Sequence, residues 1–307
     1  MKQNGTGGDL PLSHAPAIEI TRDFCRSLLP PLPRNIHKRD RGGCLVAGGC
    51  SHYRGAPLLS LRGFLRSGGG IALLLADEEV CAAAASFLPE AIFLSGLLNG
   101  ADSAIERQIE EWEPRAGCLI AGPGMGRSKR AGEVFTLLWH LWKKELIVDG
   151  DGLYWLRKLR GTFSRRGRVL LTPHEGEAGM LLDLPSGEIT SRRRKAARTL
   201  AEEWGVVLLK GPDTLVDDGT RTASTSGGTP LLAVPGSGDV LAGAIGAFAA
   251  RGLPLFESAC LGAWVHASAG RTLSDRFGLD GTLAREIADA LPEILKDLRV
   301  DDEKKKG

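Results

Sequence analysis

Short apolar runs bounded by glycine, proline or aspartate recur along the chain, at residues 44–47, 71–75, 118–121, 146–148, 169–171 and 206–209. Runs of this length that are apolar at nearly every position predict strands buried on both faces of a sheet. Between them the spacing changes. In residues 131–143, Val134, Leu137, Leu138, Leu141 and Trp142 fall at i, i+3, i+4, i+7 and i+8, which predicts a helix laying one apolar face on that sheet. Strand and helix patterns in alternation imply a layered α/β fold with a mostly parallel central sheet. Residues 214–216 and 221–225 flank Asp218-Gly219 and predict an edge hairpin. Residues 238–298 read as mainly helical, and the charged tail 300–307 as solvated and frayed.

Residues 1–33, rich in proline and glycine and ending near Pro30-Pro31-Leu32-Pro33, read as an extended lead-in without regular structure. Neither repeat nor linker interrupts residues 34–299, so a single domain is expected there.

Composition narrows the function more than the fold. A 307-residue chain with 43% hydrophobic and 25% charged residues can bury a sizeable core. Thirty-nine Lys and Arg against 37 Asp and Glu give no general attraction to nucleic acid or anionic membranes, so any anion site must be local. The basic run Arg192-Arg193-Arg194-Lys195 has no interleaved aromatics and reads as a solvated helix face. Six cysteines are scattered without a CxxC pair, which predicts reduced, packed thiols. The longest apolar stretch, 240–250, is far short of the ~20 residues a membrane helix needs. Without a signal pattern at the start, a cytoplasmic location is expected.

Candidate chemistry lies where strands hand over to helices, because backbone N–H groups and the helix dipole converge there on anions. Pro235-Gly236-Ser237-Gly238-Asp239 precedes an apolar helix. Its bare amides could cradle a phosphoryl group while Asp239 accepts a hydroxyl proton, or Ser237 and Asp239 could simply cap the helix. Lys210-Gly211-Pro212-Asp213-Thr214 ends a strongly apolar run; it suits a nucleotide's phosphate and ribose, and reads equally as a plain turn. Thr172-Pro173-His174-Glu175-Gly176-Glu177 puts a histidine and two acids at a helix start, for a ligand or for capping alone. Asp149-Gly150-Asp151 could hold Mg²⁺ through water, or form a turn capped by Asp151. Ala56 would allow a flat ligand close approach, Trp139 and Trp142 read as packing residues, and His266 reads as a satisfied core histidine.

The order of these motifs, with Gly48-Gly49-Cys50-Ser51, Gly55-Ala56, Gly122-Pro123-Gly124-Met125-Gly126 and the run from Gly236 to Gly243, resembles the ADP- or ATP-dependent NAD(P)H-hydrate dehydratase family across residues 34–298. That resemblance implies a ribokinase-like three-layer α/β/α sandwich. It also implies repair of hydrated NADH or NADPH, with ADP or ATP as phosphoryl donor and Mg²⁺ as cofactor. Ala56, Gly124, His174 and Asp239 would bind the hydrate; Lys210, Gly211, Pro212, Asp213, Thr214 and Gly238 would bind the nucleotide. Asp239 would be the base, the amides of Gly236, Ser237 and Gly238 would stabilise phosphoryl charge, and Asp149 or Glu177 would reach the metal only through water. Relatives imply a homo-oligomer, a tetramer, with neither nucleic acid nor membrane as partner. Residues 1–33 are too few for the epimerase domain many relatives carry. Three departures bear on nucleotide affinity: Pro235 in place of a glycine, Gly228-Thr229-Pro230 without the usual asparagine, and Glu175 in place of a proline.

Overall fold

The computed structural model describes residues 16–161 and 167–300. Among the described residues, ten strands form one sheet: β1 (Ile18–Glu19), β2 (Gly43–Ala47), β3 (Ile71–Ala76), β4 (Ile92–Ser95), β5 (Cys118–Ala121), β6 (Glu145–Val148), β7 (Val169–Leu171), β8 (Val206–Leu209), β9 (Thr214–Asp217) and β10 (Thr222–Thr225). Their spatial order is β1-β10-β9-β8-β7-β6-β5-β2-β3-β4. The strands from β4 across to β8 are all parallel, whereas β9 runs antiparallel to both β8 and β10. The antiparallel pair is the hairpin expected around Asp218-Gly219.

Alternation along the central strands divides the core. Cys44 and Val46 of β2, with Cys118 and Ile120 of β5, face one side, whereas Leu45, Ala47, Leu119 and Ala121 face the other. The first side is covered by α1 (Arg22–Leu28), α2 (Gly55–Arg66), α3 (Glu78–Phe87), α10 (Ser237–Ala249), α11 (Leu255–Phe277) and α12 (Ala284–Val300). The second carries α4 (Asp102–Trp112), α5 (Lys129–Leu141), α6 (Asp151–Arg157), α7 (Glu175–Leu182), α8 (Ser186–Ser191) and α9 (Arg193–Trp204). Two helical layers on a mainly parallel sheet make the expected α/β/α sandwich. The packing of α10 on α2 is close because glycines leave room: a methyl on Gly243 would lie 1.9 Å from the Ser60 carbonyl oxygen, and one on Gly63 2.3 Å from that of Val240.

The lead-in expectation needs correction. Within residues 1–33, β1 pairs in parallel with β10, and α1, N-capped by Thr21, buries Cys25 against the first layer. Only two residues of β1 pair, too short a run for alternation to reveal. The sandwich therefore begins before residue 34. The expected tail after 300 lies outside the described residues. All six cysteines are free, five of them buried and Cys50 half-buried. Among the described residues no helix is long and apolar enough to cross a membrane.

Candidate active site

The glycine- and aspartate-bearing loops singled out in the sequence follow β2, β5, β6, β7 and β8, all parallel, so they open on one edge of the sheet. From β2 the chain moves outward through β3 and β4, then returns to the other flank of β2 and moves away through β5 to β8. Such a reversal leaves a crevice at the carboxyl ends of the strands where loops diverge. Backbone bonds brace it: the Gly49 amide donates to the Pro123 carbonyl at 2.8 Å, and Gly122 to Ala47 at 3.0 Å. Gly124 has φ +61°, and a methyl there would meet the Tyr53 carbonyl oxygen at 2.6 Å and the Ala56 Cβ at 3.1 Å. Ala56 and Gly124 are thus neighbours, pressed together by small size.

On the other flank a cavity of about 870 Å³ opens between α10, α11 and the loops after β7 and β8. His174, Lys210, Gly211, Pro212, Thr214 and Gly238 line it, together with Thr229 and His266. Ala56, Gly124, Asp213 and Asp239 are not in that wall.

The cradle before α10 is a tight turn. The Ser237 amide donates to the Val234 carbonyl at 3.2 Å, and Gly236 sits at φ +87°, ψ −7°. With proline second and a left-handed glycine third, this is a type II turn. Pro235 therefore suits the turn, whose closing bond needs no N–H from that position. The expected donor set changes at one place: the Ser237 amide is committed to the turn. Among the described residues the amides of Gly236, Gly238 and Asp239 have no protein acceptor, and the helix has no side-chain cap. These orphan donors at a helix N-terminus favour an anion.

Behind the cradle, charge is concentrated. Lys210 Nζ lies 3.0 Å from Asp149 Oδ1 and 3.7 Å from Glu177 Oε2, and a methyl on Gly238 would meet it at 3.2 Å. Asp149 is 2% exposed and also accepts from Thr172 Oγ1 at 2.7 Å. Burial pushes the Asp239 carboxyl well above the usual carboxylate range; negative Asp149 and Glu177 add to this, and Lys210 opposes it. Burial likewise raises Glu177, against the pull of Lys210. Lys210 itself is held above its ordinary value, because Asp149 and Glu177 outweigh its own desolvation. Three carboxylates thus share one ammonium. Buried charges tolerate this only in a well-bonded arrangement, and a surplus of negative charge remains.

Among the described residues, no three His, Cys, Asp or Glu side chains could hold a metal ion on their own. The carboxylate surplus would suit a hydrated Mg²⁺, since that ion keeps several waters and few protein ligands.

Other expected residues behave differently. Asp151 is the first residue of α6, and its carboxylate accepts from the Gly126 amide at 2.9 Å and Arg127 Nε at 3.1 Å, bracing the β5 loop. His174 N-caps α7: its Nδ1 accepts from the amides of Gly176 and Glu177, while Glu177 accepts from the His174 amide at 2.8 Å, completing a capping box. Its ring is 60% exposed on the cavity side, so capping and ligand contact are compatible. The expectation that Arg192 to Lys195 forms a solvated face fails at Arg193, whose guanidinium pairs with Glu175 and donates to the Asp213 carbonyl at 2.9 Å. Glu175 consequently adds no net charge to the loop. Thr229 bonds Ser274 Oγ at 2.8 Å, so the position that lacks asparagine is tied to α11. His266, read as a core histidine, is buried but lines the cavity; its Nε2 lies 3.1 Å from Ser237 Oγ, and burial lowers it to about 4, so it is neutral.

A family model described as NAD(P)H-hydrate dehydratase matches residues 44–293. This chain belongs to the NAD(P)H-hydrate dehydratase family. It is 36% identical over 273 residues to a bifunctional NAD(P)H-hydrate repair enzyme of Thermanaerovibrio acidaminovorans, a match covering 87% of this chain and 52% of that protein. The chain spans about half the length of such bifunctional relatives. An ADP-dependent (S)-NAD(P)H-hydrate dehydratase of Xanthomonas campestris is 33% identical, with 86% of this chain and 92% of that protein covered. The fold is shared with the ADP/ATP-dependent NAD(P)H-hydrate dehydratase of Bacillus subtilis, co-crystallised with ATP and Mg²⁺: TM-score 0.81 at 24% identity, with 93% of this chain and all of that one covered. Family membership gives the crevice a setting; its chemistry follows from the residues around it.

Proposed function

We propose that this chain dehydrates the (S) hydrate of NADH or NADPH, using ADP or ATP as phosphoryl donor, and so restores the reduced nicotinamide. The observation that carries the reading is Asp239, set at a helix-start cradle with unpaired amides and flanked by Lys210, Asp149 and Glu177. The nucleotide would occupy the cavity bounded by Lys210, Gly211, Pro212, Thr214 and Gly238, with Asp213 contributing from the same loop. The hydrate would lie toward Ala56 and Gly124, with His174 and Asp239 between the two ligands. A ring hydroxyl is a poor leaving group, and phosphate a good one. Asp239 takes the hydroxyl proton as the oxygen attacks the terminal phosphorus, and the cleaved nucleotide departs with the electrons of its P–O bond. The ring C–O bond then breaks with its electrons on phosphate, and an adjacent C–H proton is lost to form the double bond. The amides of Gly236, Gly238 and Asp239 neutralise charge on the phosphoryl oxygens, a positioning and electrostatic task. Mg²⁺, held through water by Asp149 or Glu177, would supply further charge neutralisation on the nucleotide phosphates. The reading includes a cytoplasmic location and a homo-oligomer.

Incubating the protein with hydrated NADH, Mg²⁺ and either ADP or ATP tests it. Absorbance of the reduced nicotinamide should recover, with one phosphate released per turnover. No recovery with either nucleotide would overturn the proposal.

A further inference from the structure

A second cavity, of about 490 Å³, lies at the opposite end of α2 and α10 from the cradle. The 13 residues of α10 put it about 20 Å away. Arg41, Arg66, Arg251, Lys296 and Arg299 all line it, and none of its described lining residues is acidic, although Arg66 pairs with Asp289 beside it at 3.5 Å. In a chain whose net charge is only +2, such segregation is a local feature. Basic residues near the ends of α2, α10 and α12 would partly answer the helix dipoles. That does not explain their bonds: Arg251 Nη2 donates to the Pro31 carbonyl at 2.9 Å, and Arg299 Nη2 to that of Pro30 at 3.0 Å, in the loop after α1. Burial, and secondarily the nearby Arg299 and Arg41, depresses the Arg251 guanidinium to about 10. A second observation is independent of charge. Ser67, 1% exposed, lines the same cavity, and its hydroxyl has no hydrogen-bond partner among the described residues. A buried orphan hydroxyl is costly unless something bonds it.

We propose that this pocket binds the phosphate group of a small anion, with guanidinium and ammonium groups answering its charge and the Ser67 hydroxyl donating to one oxygen. Planar, forked guanidinium groups match phosphate oxygens. The site is separate from the cradle and does not depend on the reaction proposed above. Calorimetric titration of inorganic phosphate into the full chain tests it, comparing wild type with Arg41→Ala/Lys296→Ala. Arg41 and Lys296 make no bond or ion pair with another described side chain, so the variant should melt at the wild-type temperature. The expected result is at least a tenfold loss of phosphate affinity in the variant, with a smaller loss in Ser67→Ala. Titration with ADP separates the sources: a second ADP per chain that the variant lacks assigns a nucleotide phosphate, and no such second ADP assigns free phosphate. Equal phosphate affinity in wild type and variant would overturn the proposal. So would phosphate binding that emerges only in Asp301→Asn/Asp302→Asn/Glu303→Gln, which would make the chain's own acidic end the occupant.

Discussion

The two flanks of the crevice are built on opposite principles. Between β6 and α10 the site is electrostatic: Asp149, Glu177 and Asp239 share Lys210, and most of that charge is withdrawn from water. Between β2 and β5 the site is steric, where Ala56 at the start of α2 and Gly124 in the loop after β5 pack together by having almost no side chain. On the proposed function, one flank would set protonation and the other how closely a flat ring could approach. Substitutions on the first should therefore alter pH dependence and turnover, and substitutions on the second should alter fit.

The largest effect on the electrostatic flank is expected from Lys210→Met. It leaves Asp149 and Glu177 without their cation, and the expected loss of stability is about 3 kcal/mol, the range for breaking a buried pair. Denaturant melting checks it, and the pH dependence supplies the sign. The folded-state value of Lys210 is raised, so its contribution is full below its unfolded value near 10.5 and lost as pH climbs past it. Asp239 is raised as well, so its protonated form favours the fold: that contribution is complete below about pH 4 and disappears as pH rises through its folded value. An ionised Asp239 thus costs stability at neutral pH, and Asp239→Asn should melt higher than wild type there.

On the steric flank, Gly124→Ala should cost about 2 kcal/mol through a left-handed backbone and the Tyr53 carbonyl. Its KM for the hydrate should rise while the pH profile of kcat keeps its wild-type midpoint. A shifted midpoint would mean the two flanks are not separable. His266→Ala removes the partner of Ser237 Oγ and should cost about 1 kcal/mol, measured as a lower Tm. Pro235→Ala should be the mildest, about 0.5 kcal/mol through the unfolded chain, with nucleotide affinity unchanged, because the turn's closing bond runs from Ser237 to Val234.

The same division decides what was legible in the sequence. The layered fold, the hairpin around Asp218-Gly219 and the strand-end loops were readable, since buried parallel strands write unbroken apolar runs. β4 was not: Ile92 and Ser95 are exposed at the sheet edge, so the run lacks the central-strand signature. β1 was hidden because two paired residues carry no period. Within the site, Gly124 announced itself as a glycine after a strand and Gly236 as one before an apolar helix. Long-range partnerships left no local mark: His266 meets Ser237 across 29 residues, Lys210 meets Asp149 across 61, and Arg193 folds back under the β8 loop from within a run that reads as surface charge.

The central claim, that Asp239 is the base, is tested most directly by single-turnover kinetics of Asp239→Asn beside wild type with hydrated NADH, Mg²⁺ and ADP. Removing a general base predicts about a 10³-fold slower chemical step, with ADP bound as tightly as in wild type. Equal rates in the two proteins would contradict the account.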